Sequence, residues 1–180
     1  MIFPFGIEMA GEGGQGIVLA AVILADAAAT YDGRYVAQST SHGPEARGGL
    51  TQSEVLIGDR ELDYPKLIRS DLLLAMNQGA CDRYASRLKD DGLLVVDSTH
   101  VQHFPPRTLS AVAITRLCEE VTGRTVSANI VALGVIVGLT GVVSEIALES
   151  ALRARVPGGS LEPNLKAFQA GLKAAKTFLP

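Results

Sequence analysis

Six residues near the start of the chain, Gly11-Glu12-Gly13-Gly14-Gln15-Gly16, have the spacing of a loop that holds an anion. The string lies between two apolar runs, residues 5–10 and 17–29. Glycines at such a turn from strand to helix let the backbone approach a negative group, and the first N–H groups of the helix point at it. The pattern favours an anion site at Gly11, Gly13, Gly14, Gln15 and Gly16, although such turns also serve only to close the connection.

A second loop also carries groups that could do chemistry, His42-Gly43-Pro44-Glu45-Ala46-Arg47-Gly48-Gly49. Its glycines permit unusual backbone angles, whereas its proline stiffens the loop. Arg47 offers a planar fork for a carboxylate or a phosphate. The alternative is that Arg47 pairs with Glu45 or Glu8 and locks the loop. Similarly, His42 is a candidate general base or a side chain that supports its own backbone.

Other kinds of site fit these residues less well. A dinucleotide site needs an acidic residue at the end of the second strand, but that strand is predicted to end at Gln38 and Ser39, and Asp32 lies before it. A P-loop needs a Gly-Lys-Ser or Gly-Lys-Thr string, which does not follow the glycines. The dinucleotide and P-loop interpretations are therefore disfavoured.

Metal ligation is not predicted either. Iron–sulfur clusters need about four cysteines at close spacing, and the chain has only Cys81 and Cys118, far apart. His100 and His103 lie in a proline-rich stretch without a carboxylate at matching spacing, so we interpret them as surface histidines. The prediction is that no metal site lies on this chain.

Composition narrows the class of protein further. The chain has 180 residues and a net charge of −3 from 16 basic and 19 acidic residues, so no basic stripe suggests nucleic acid. The two cysteines suit a reducing compartment. The first residues lack the basic and apolar regions of a signal peptide, and the long apolar run near residues 130–139 is too short to span a bilayer. The prediction is a cytoplasmic protein without nucleic acid or membrane partners.

The order of elements predicts an α/β fold. Strands are predicted at residues 5–10, 34–39, 50–57, 72–76, 93–96 and 111–114. Helices are predicted over residues 17–29 and 126–139 and at the carboxyl end of the chain. Two further helices are predicted to begin after the N-caps Asn77 and Ser144. Gly58-Asp59 suggests a β-hairpin that returns through residues 60–62. We therefore expect one domain over residues 1–180, a three-layer α/β/α sandwich with a Rossmann-like mixed sheet. The loops after the strands, residues 11–16, 39–49, 77 and 97–99, should then meet at one edge.

Two features of this pattern need explanation. Glu8 stands in the middle of the first strand and needs a partner or a wet face, because central strands are usually apolar on both faces. The helices over residues 17–29 and 130–139 are apolar all round, although a surface helix needs only one apolar face. We interpret both helices as surfaces that another chain buries, in preference to burial by the chain's own loops.

The two loops together resemble the gamma subunit of 2-oxoacid:ferredoxin oxidoreductases, and the string from Gly43 to Gly49 is the most specific part of the resemblance. The likeness covers nearly the whole chain. Its further parts are Ser53-Glu54-Val55, Asp71-Leu72-Leu73-Leu74-Ala75, Asn129 with Ala132-Leu133-Gly134, and residues 164–171.

The resemblance implies a hetero-oligomeric, cytoplasmic enzyme that decarboxylates a 2-oxoacid, such as pyruvate or 2-oxoglutarate, to an acyl-CoA and reduces ferredoxin. Thiamine diphosphate, Mg and iron–sulfur clusters would lie on alpha, beta and ferredoxin-like delta partners, and this chain would bind no cofactor alone. It also lacks a Gly-Asp-Gly thiamine motif; Asp90-Asp91-Gly92 comes nearest. The implied role is to pack against the catalytic subunits and close their site, without activity alone and with a homodimer in isolation as an option.

Within that role, the glycine string and Arg47 are candidates for holding a phosphate of coenzyme A or for contacting a partner subunit, and no catalytic residue is assigned to this chain. Two alternatives stay open at this point. One is the smaller subunit of indolepyruvate:ferredoxin oxidoreductase. The other, from a different class, is a stand-alone nucleotide-binding or regulatory module, which would be a stable monomer that binds a nucleotide by itself.

Overall fold

A mixed sheet of six strands organises the chain in the computed structural model, which describes residues 3–43, 49–64, 66–106 and 108–179. The sheet order is β2-β3-β1-β4-β5-β6. Only β3 runs against the others, since it pairs antiparallel with both β1 and β2, whereas the remaining pairs are parallel. The strands are β1 (Phe5–Glu12), β2 (Tyr35–His42), β3 (Leu50–Gly58), β4 (Ser70–Ala75), β5 (Leu88–Asp97) and β6 (Thr108–Val112).

The β-hairpin of this sheet consists of β2 and β3, which pair from Tyr35 opposite Gly58 to His42 opposite Thr51. The predicted hairpin at Gly58-Asp59 is wrong, because β3 ends at Gly58 and the described residues 59–64 contain no strand. The reason is that β1 and β2 occupy both edges of β3, so no edge is left for a returning strand. The mixed sheet was predicted correctly, but the hairpin lies one strand earlier.

Helices cover both faces of the sheet, as predicted. On one face α2 packs against β1 and β4, and the other five helices lie over the opposite face. The strand predicted at residues 111–114 ends at Val112, and Ile114 begins α3, a helix that the sequence analysis missed. The helices are α1 (Ile17–Asp26, continued by a π-helical turn over Ala27–Tyr31), α2 (Gln78–Tyr84), α3 (Ile114–Thr122), α4 (Ala128–Thr140), α5 (Glu145–Arg155) and α6 (Gly158–Ala175).

The core is divided by the sheet into a larger and a smaller cluster. Alternate residues of β4 show the division: Leu72 and Leu74 belong to the larger cluster under the five helices, and Leu73 and Ala75 belong to the smaller one under α2. Successive side chains of a strand point to opposite faces, so buried strands carry apolar residues on both. This explains why β4 is apolar without alternation.

Helix α4 is the centre of the larger cluster, and all its residues from Ala128 to Val137 are buried. The expectation that another chain covers this helix is wrong, because α6 packs along it together with α1 and α3. On α1, Val18 and Leu19 keep 38% and 45% of their surface exposed, so part of that helix stays available to a partner. No helix in the described ranges is long and apolar enough to cross a membrane.

The predicted cap at the start of α5 is confirmed, and it has a second function. The Ser144 hydroxyl accepts a hydrogen bond from the Ala147 N–H at 3.1 Å and donates to Asp32 Oδ1 at 2.7 Å. The Ser144 backbone N–H also donates to Asp32 Oδ2 at 2.6 Å. Asp32 is therefore a structural residue that ties the end of the α1 segment to α5.

We expect Ser144→Ala to lower the free energy of unfolding by about 1–2 kcal/mol, since it removes both the cap and the hydroxyl held by Asp32. Urea unfolding measures the loss. Ser150→Ala in the same helix is the matched control, because its exposed hydroxyl bonds only to the Ile146 carbonyl within its own helix and should cost less than about 0.5 kcal/mol. Equal effects of the two substitutions would contradict this role of Ser144.

Candidate anion-binding site

The loops predicted to meet lie at one edge of the sheet, because β1, β2, β4 and β5 all end there. Two contacts join the glycine string to its neighbours. The Gly13 N–H donates to the Gly49 carbonyl at 3.1 Å, which links it to the loop between β2 and β3. The Gln15 amide nitrogen donates to the Met76 carbonyl at 3.3 Å, which links it to the end of β4. In open α/β sheets ligands bind at this edge.

The glycine string turns through two left-handed residues, Gly14 with φ +98° and Gly16 with φ +74°. Residues with a Cβ rarely adopt these angles, so glycine is required at both positions. Gln15 closes the turn on itself, since its side-chain oxygen accepts a hydrogen bond from the Glu12 N–H at 2.7 Å. Gly11 ends up against this amide, where a Cβ would overlap the Gln15 oxygen.

Helix α1 begins directly after Gly16, which is its N-cap and provides no side chain to bind the first N–H groups. The first turn contains no acidic residue. The N–H groups of a first turn have no intrahelical partner and carry a partial positive charge, so they attract an anion. The local geometry that the glycine spacing predicts is therefore present.

A cleft of about 590 Å³ opens beside this helix start. Gly14 and Gly16 line it together with the loops that precede α4 and α6. Arg124 lines the cleft, and the second arginine there, Arg155, forms an ion pair with Asp26 at 2.5 Å. Leu19 and Val126, which are 45% and 80% exposed, add apolar surface at the same place. The cleft thus combines a polar, anion-attracting side with an apolar one.

Asn129 in α4 contacts the glycine string directly and lines the same cleft. Its side-chain nitrogen donates to the Gly16 carbonyl at 3.1 Å, although 113 residues separate the two in sequence. Only 4% of Asn129 is exposed. The residue is thus a buried polar side chain with a specific partner in the loop.

The second predicted loop lies only in part within the described residues. His42 ends β2, where its Nδ1 lies 3.3 Å from the Thr51 hydroxyl, and the Gly43 N–H donates to the Leu50 carbonyl at 2.7 Å. Pro44, Glu45, Arg47 and Gly48 lie outside the described residues. The Gly49 carbonyl, which accepts from Gly13, shows that this loop returns next to the glycine string.

Glu8 has the partner that its position required, but the partner is Arg87. The carboxylate is fully buried, and its Oε1 lies 3.0 Å from an Arg87 guanidinium nitrogen and accepts from the Gln52 amide at 2.6 Å. Both donors also bind Glu54, at 2.7 Å from Arg87 and 2.9 Å from Gln52. One cation therefore serves two carboxylates, which together connect β1, β3 and the turn after α2.

Burial raises the pKa of Glu8 from 4.5 to about 7, because the charged form loses its hydration. The Arg87 guanidinium lowers the pKa of Glu8, and the nearby Glu54 carboxylate raises it. The charged form of Glu8 is therefore disfavoured at the centre of the sheet, and the carboxyl group loses its proton only near neutral pH.

The described residues do not contain a group of three or more His, Cys, Asp or Glu side chains that could hold a metal ion. Cys81 and Cys118 are both buried, and burial raises the pKa of both thiols.

The side chain of Asp97, at the end of β5, accepts from the Thr115 hydroxyl at 2.5 Å and from the Thr99 N–H at 3.0 Å. It therefore anchors α3 to the sheet.

Three residues near these loops were not found from the sequence: Arg87, Arg124 and Asn129. Each meets its neighbours only through the fold, and none stands at a spacing typical of a motif. Asn129 belongs to the family likeness, but nothing in the sequence indicates that it neighbours the glycine string. The closest signal in the sequence is Glu8, whose position in the first strand requires a partner or a wet face without identifying the partner.

Comparisons with known proteins identify similar proteins over nearly the whole chain. Residues 6–174 match the family described as Pyruvate ferredoxin/flavodoxin oxidoreductase. Among curated proteins, the chain is similar to the 2-oxoglutarate synthase subunit KorC of Methanothermobacter marburgensis, with 45% identity over 173 residues that cover 92% of this chain and 93% of the relative.

Solved structures show the same likeness. The gamma subunit of a keto/oxoacid ferredoxin oxidoreductase from Geobacter sulfurreducens superimposes with a TM-score of 0.87 and 47% identity, over 96% of this chain and 99% of that one. A 2-oxoglutarate:ferredoxin oxidoreductase from Magnetococcus marinus, solved with 2-oxoglutarate, coenzyme A and succinyl-CoA bound, matches with a TM-score of 0.86 and 25% identity. That match covers 96% of this chain and 31% of the Magnetococcus chain.

Proposed function

Because this chain belongs to the pyruvate ferredoxin/flavodoxin oxidoreductase family, we propose that it is the gamma subunit of an enzyme that converts 2-oxoglutarate and coenzyme A to succinyl-CoA and CO₂ and reduces ferredoxin. The 45% identity to a 2-oxoglutarate synthase subunit over nearly the full length of both chains supports this choice of oxoacid. The family match over residues 6–174 supports treating residues 1–180 as one gamma-type domain.

The observation that carries the proposal is the junction of two glycine-rich loops at the start of α1, joined by the hydrogen bond from Gly13 to Gly49. The start of α1 lies beside a cleft that Gly14, Gly16 and Arg124 line. Coenzyme A carries phosphates, and helix N-termini and arginines are the groups that bind phosphate. We assign this chain the role of holding a phosphate of coenzyme A, with Arg47 as a further candidate ligand from the loop before Gly49.

Thiamine diphosphate and iron–sulfur clusters, which the family's enzymes use, would supply the decarboxylation chemistry and the electron path. The residues of this chain do not fit those groups. An iron–sulfur cluster needs about four cysteines, whereas this chain has two, which are buried and far apart in sequence. The described residues also contain no cluster of three or more His, Cys, Asp or Glu side chains that could hold a metal ion. We therefore assign those cofactors, with Mg, to the alpha, beta and delta subunits, and we expect this chain to be inactive alone.

Contact with those subunits would involve the apolar surface beside the cleft, where Leu19 and Val126 are exposed. A partner seated there would cover the cleft and help to close the site on the catalytic subunits against water, which protects a reactive intermediate. Two buried, unpaired cysteines suit assembly in the cytoplasm. In isolation, the same surface would favour a homodimer.

Co-purification tests this assignment. A tagged chain expressed in its native host is expected to bring down the three partner subunits, and the complex is expected to reduce a viologen dye with 2-oxoglutarate and coenzyme A faster than with pyruvate or 3-methyl-2-oxobutanoate. Preference for another oxoacid would overturn the choice of substrate. A monomer that binds a nucleotide and brings down no partners would favour the regulatory module instead.

Replacing the arginines tests the phosphate role. In the complex, we expect Arg124→Ala and Arg47→Ala each to raise the KM for coenzyme A about tenfold or more, because a hydrogen bond to a charged group contributes roughly 1.5–3 kcal/mol. The KM for the oxoacid should stay unchanged. Arg116→Ala is the matched control, since its guanidinium pairs with Glu120 on the exposed side of α3. Unchanged assembly, turnover and coenzyme A affinity would remove the arginine in question from the site.

A further inference from the structure

Asn129 is the one buried amide that α4 directs at the glycine string. Its nitrogen donates to the Gly16 carbonyl at 3.1 Å, and 4% of the residue is exposed. The assignment of nitrogen and oxygen in this amide follows from chemistry, because a carbonyl oxygen only accepts and the amide nitrogen only donates. The contact therefore has a definite direction, from α4 to the loop.

The Gly16 carbonyl receives two hydrogen bonds, from Asn129 and from the Ala20 N–H at 3.0 Å. A trans peptide is planar, so the N–H of Ile17 points away from the Gly16 carbonyl. Holding the carbonyl from two sides thus sets the direction of the Ile17 N–H, which is the first donor of α1. The Asn129 amide therefore acts on the carbonyl side of this peptide, opposite the N–H that would meet an anion.

The space around Gly16 shows that the two residues fit each other closely. A Cβ at Gly16 would lie 2.6 Å from the Asn129 nitrogen, a distance that side chains do not adopt. Gly16 also has a positive φ of +74°. Glycine at this position is therefore required by the loop's conformation and by the amide that packs on it.

We propose that Asn129 is a positioning residue for the anion site: it orients the Gly16–Ile17 peptide so that the start of α1 is ready to receive a phosphate before the ligand arrives. The inference rests on the proposed function for the identity of the ligand, coenzyme A, but its structural part does not. A preorganised site binds more tightly because less ordering remains to be done on binding. Asn129 then affects affinity without taking part in the reaction.

The structural part is tested on the chain alone, by hydrogen exchange of the Ala20 amide, which is bonded to the Gly16 carbonyl. Two variants lack the donor: Asn129→Ala leaves a space, and Asn129→Leu fills it. We expect both to raise the exchange rate of Ala20 about tenfold, which separates the lost hydrogen bond from the cavity. The control is Ser144→Ala, which destabilises α5 without touching the loop. Exchange that rises only in proportion to the loss of global stability, as in the control, would overturn the proposal.

The functional part is tested on the assembled enzyme. We expect both Asn129 variants to raise the KM for coenzyme A about tenfold, with kcat at saturating coenzyme A and the KM for the oxoacid within twofold of wild type. A role confined to stability would lower the midpoint of thermal unfolding and leave the KM unchanged. Faster Ala20 exchange with an unchanged KM for coenzyme A would uphold the positioning of the loop and overturn the proposed ligand, so the two failures are distinguishable.

Discussion

Gly171→Ala is expected to lower the free energy of unfolding by about 3 kcal/mol, a large loss for the addition of one methyl group. In α6, a Cβ at Gly171 would overlap the Val131 carbonyl oxygen of α4 and lie 2.9 Å from the Gly134 Cα. Both obstacles are backbone atoms, so no side chain can turn aside. The crossing of the two helices would have to widen in the middle of the larger core cluster, and this cost exceeds the roughly 1 kcal/mol by which alanine favours a helix.

Gly158→Ala in the first turn of the same helix is the control, because a Cβ there meets nothing within 4 Å. Its alanine should stabilise the chain slightly, by up to about 1 kcal/mol. Urea unfolding of both variants measures the difference. If Gly171→Ala were neutral or stabilising, the close approach of α4 and α6 would be wrong.

Glu8→Gln is expected to stabilise the chain at pH 8 and to have much less effect at pH 4.5. The pKa of Glu8 is about 7 in the folded chain and 4.5 in its ordinary state. Between these values the folded chain binds one proton more than the unfolded chain, so rising pH lowers stability. The difference of about 2.5 pKa units corresponds to a loss of about 3 kcal/mol, complete above pH 7. Glutamine cannot ionise and avoids that loss while it keeps an oxygen for Gln52 and Arg87.

The difference in unfolding free energy between wild type and Glu8→Gln, measured by urea unfolding from pH 4.5 to 8, isolates this group from the other titrating residues. Glu54→Gln is the companion variant. Its carboxylate raises the pKa of Glu8, so its removal should move the midpoint of the pH effect downward. Independently, the ¹³C shift of the Glu8 carboxyl should titrate near pH 7; a midpoint near 4.5 would contradict the raised pKa.

The fold was largely predictable from local patterns. Alternating apolar runs, the caps Asn77 and Ser144 and the glycine spacing all act over a few residues, and each led to the right element. The hairpin was misplaced because Gly58-Asp59 has good turn chemistry, whereas the edges of β3 were already taken by β1 and β2. Pairing between strands depends on residues far apart in sequence, so the turn residues alone could not show which strands pair.

The candidate site was predictable only in its backbone. Glycines at positions 14 and 16 reveal their own left-handed angles, but Asn129 is 113 residues from its partner. The prediction for the apolar helix α4 was wrong for a similar reason. Its composition shows that it must be buried, but neither that composition nor the glycines at the contact with α6 show whether its own chain or another chain buries it. The composition of a helix thus indicates that its surface is buried, whereas the topology of the chain determines which segment packs on it.

The central position of β1 has a consequence during synthesis. The first strand to leave the ribosome pairs with β3 and β4, and two helices of the core cluster to which its Ile7 and Met9 belong, α4 and α6, lie more than 100 residues later. Until they emerge, this cluster is incomplete and apolar surface stays exposed, so an unfinished chain is a natural substrate for chaperones. Slow translation or premature termination before α6 would therefore lead to aggregation, even where the finished protein folds well.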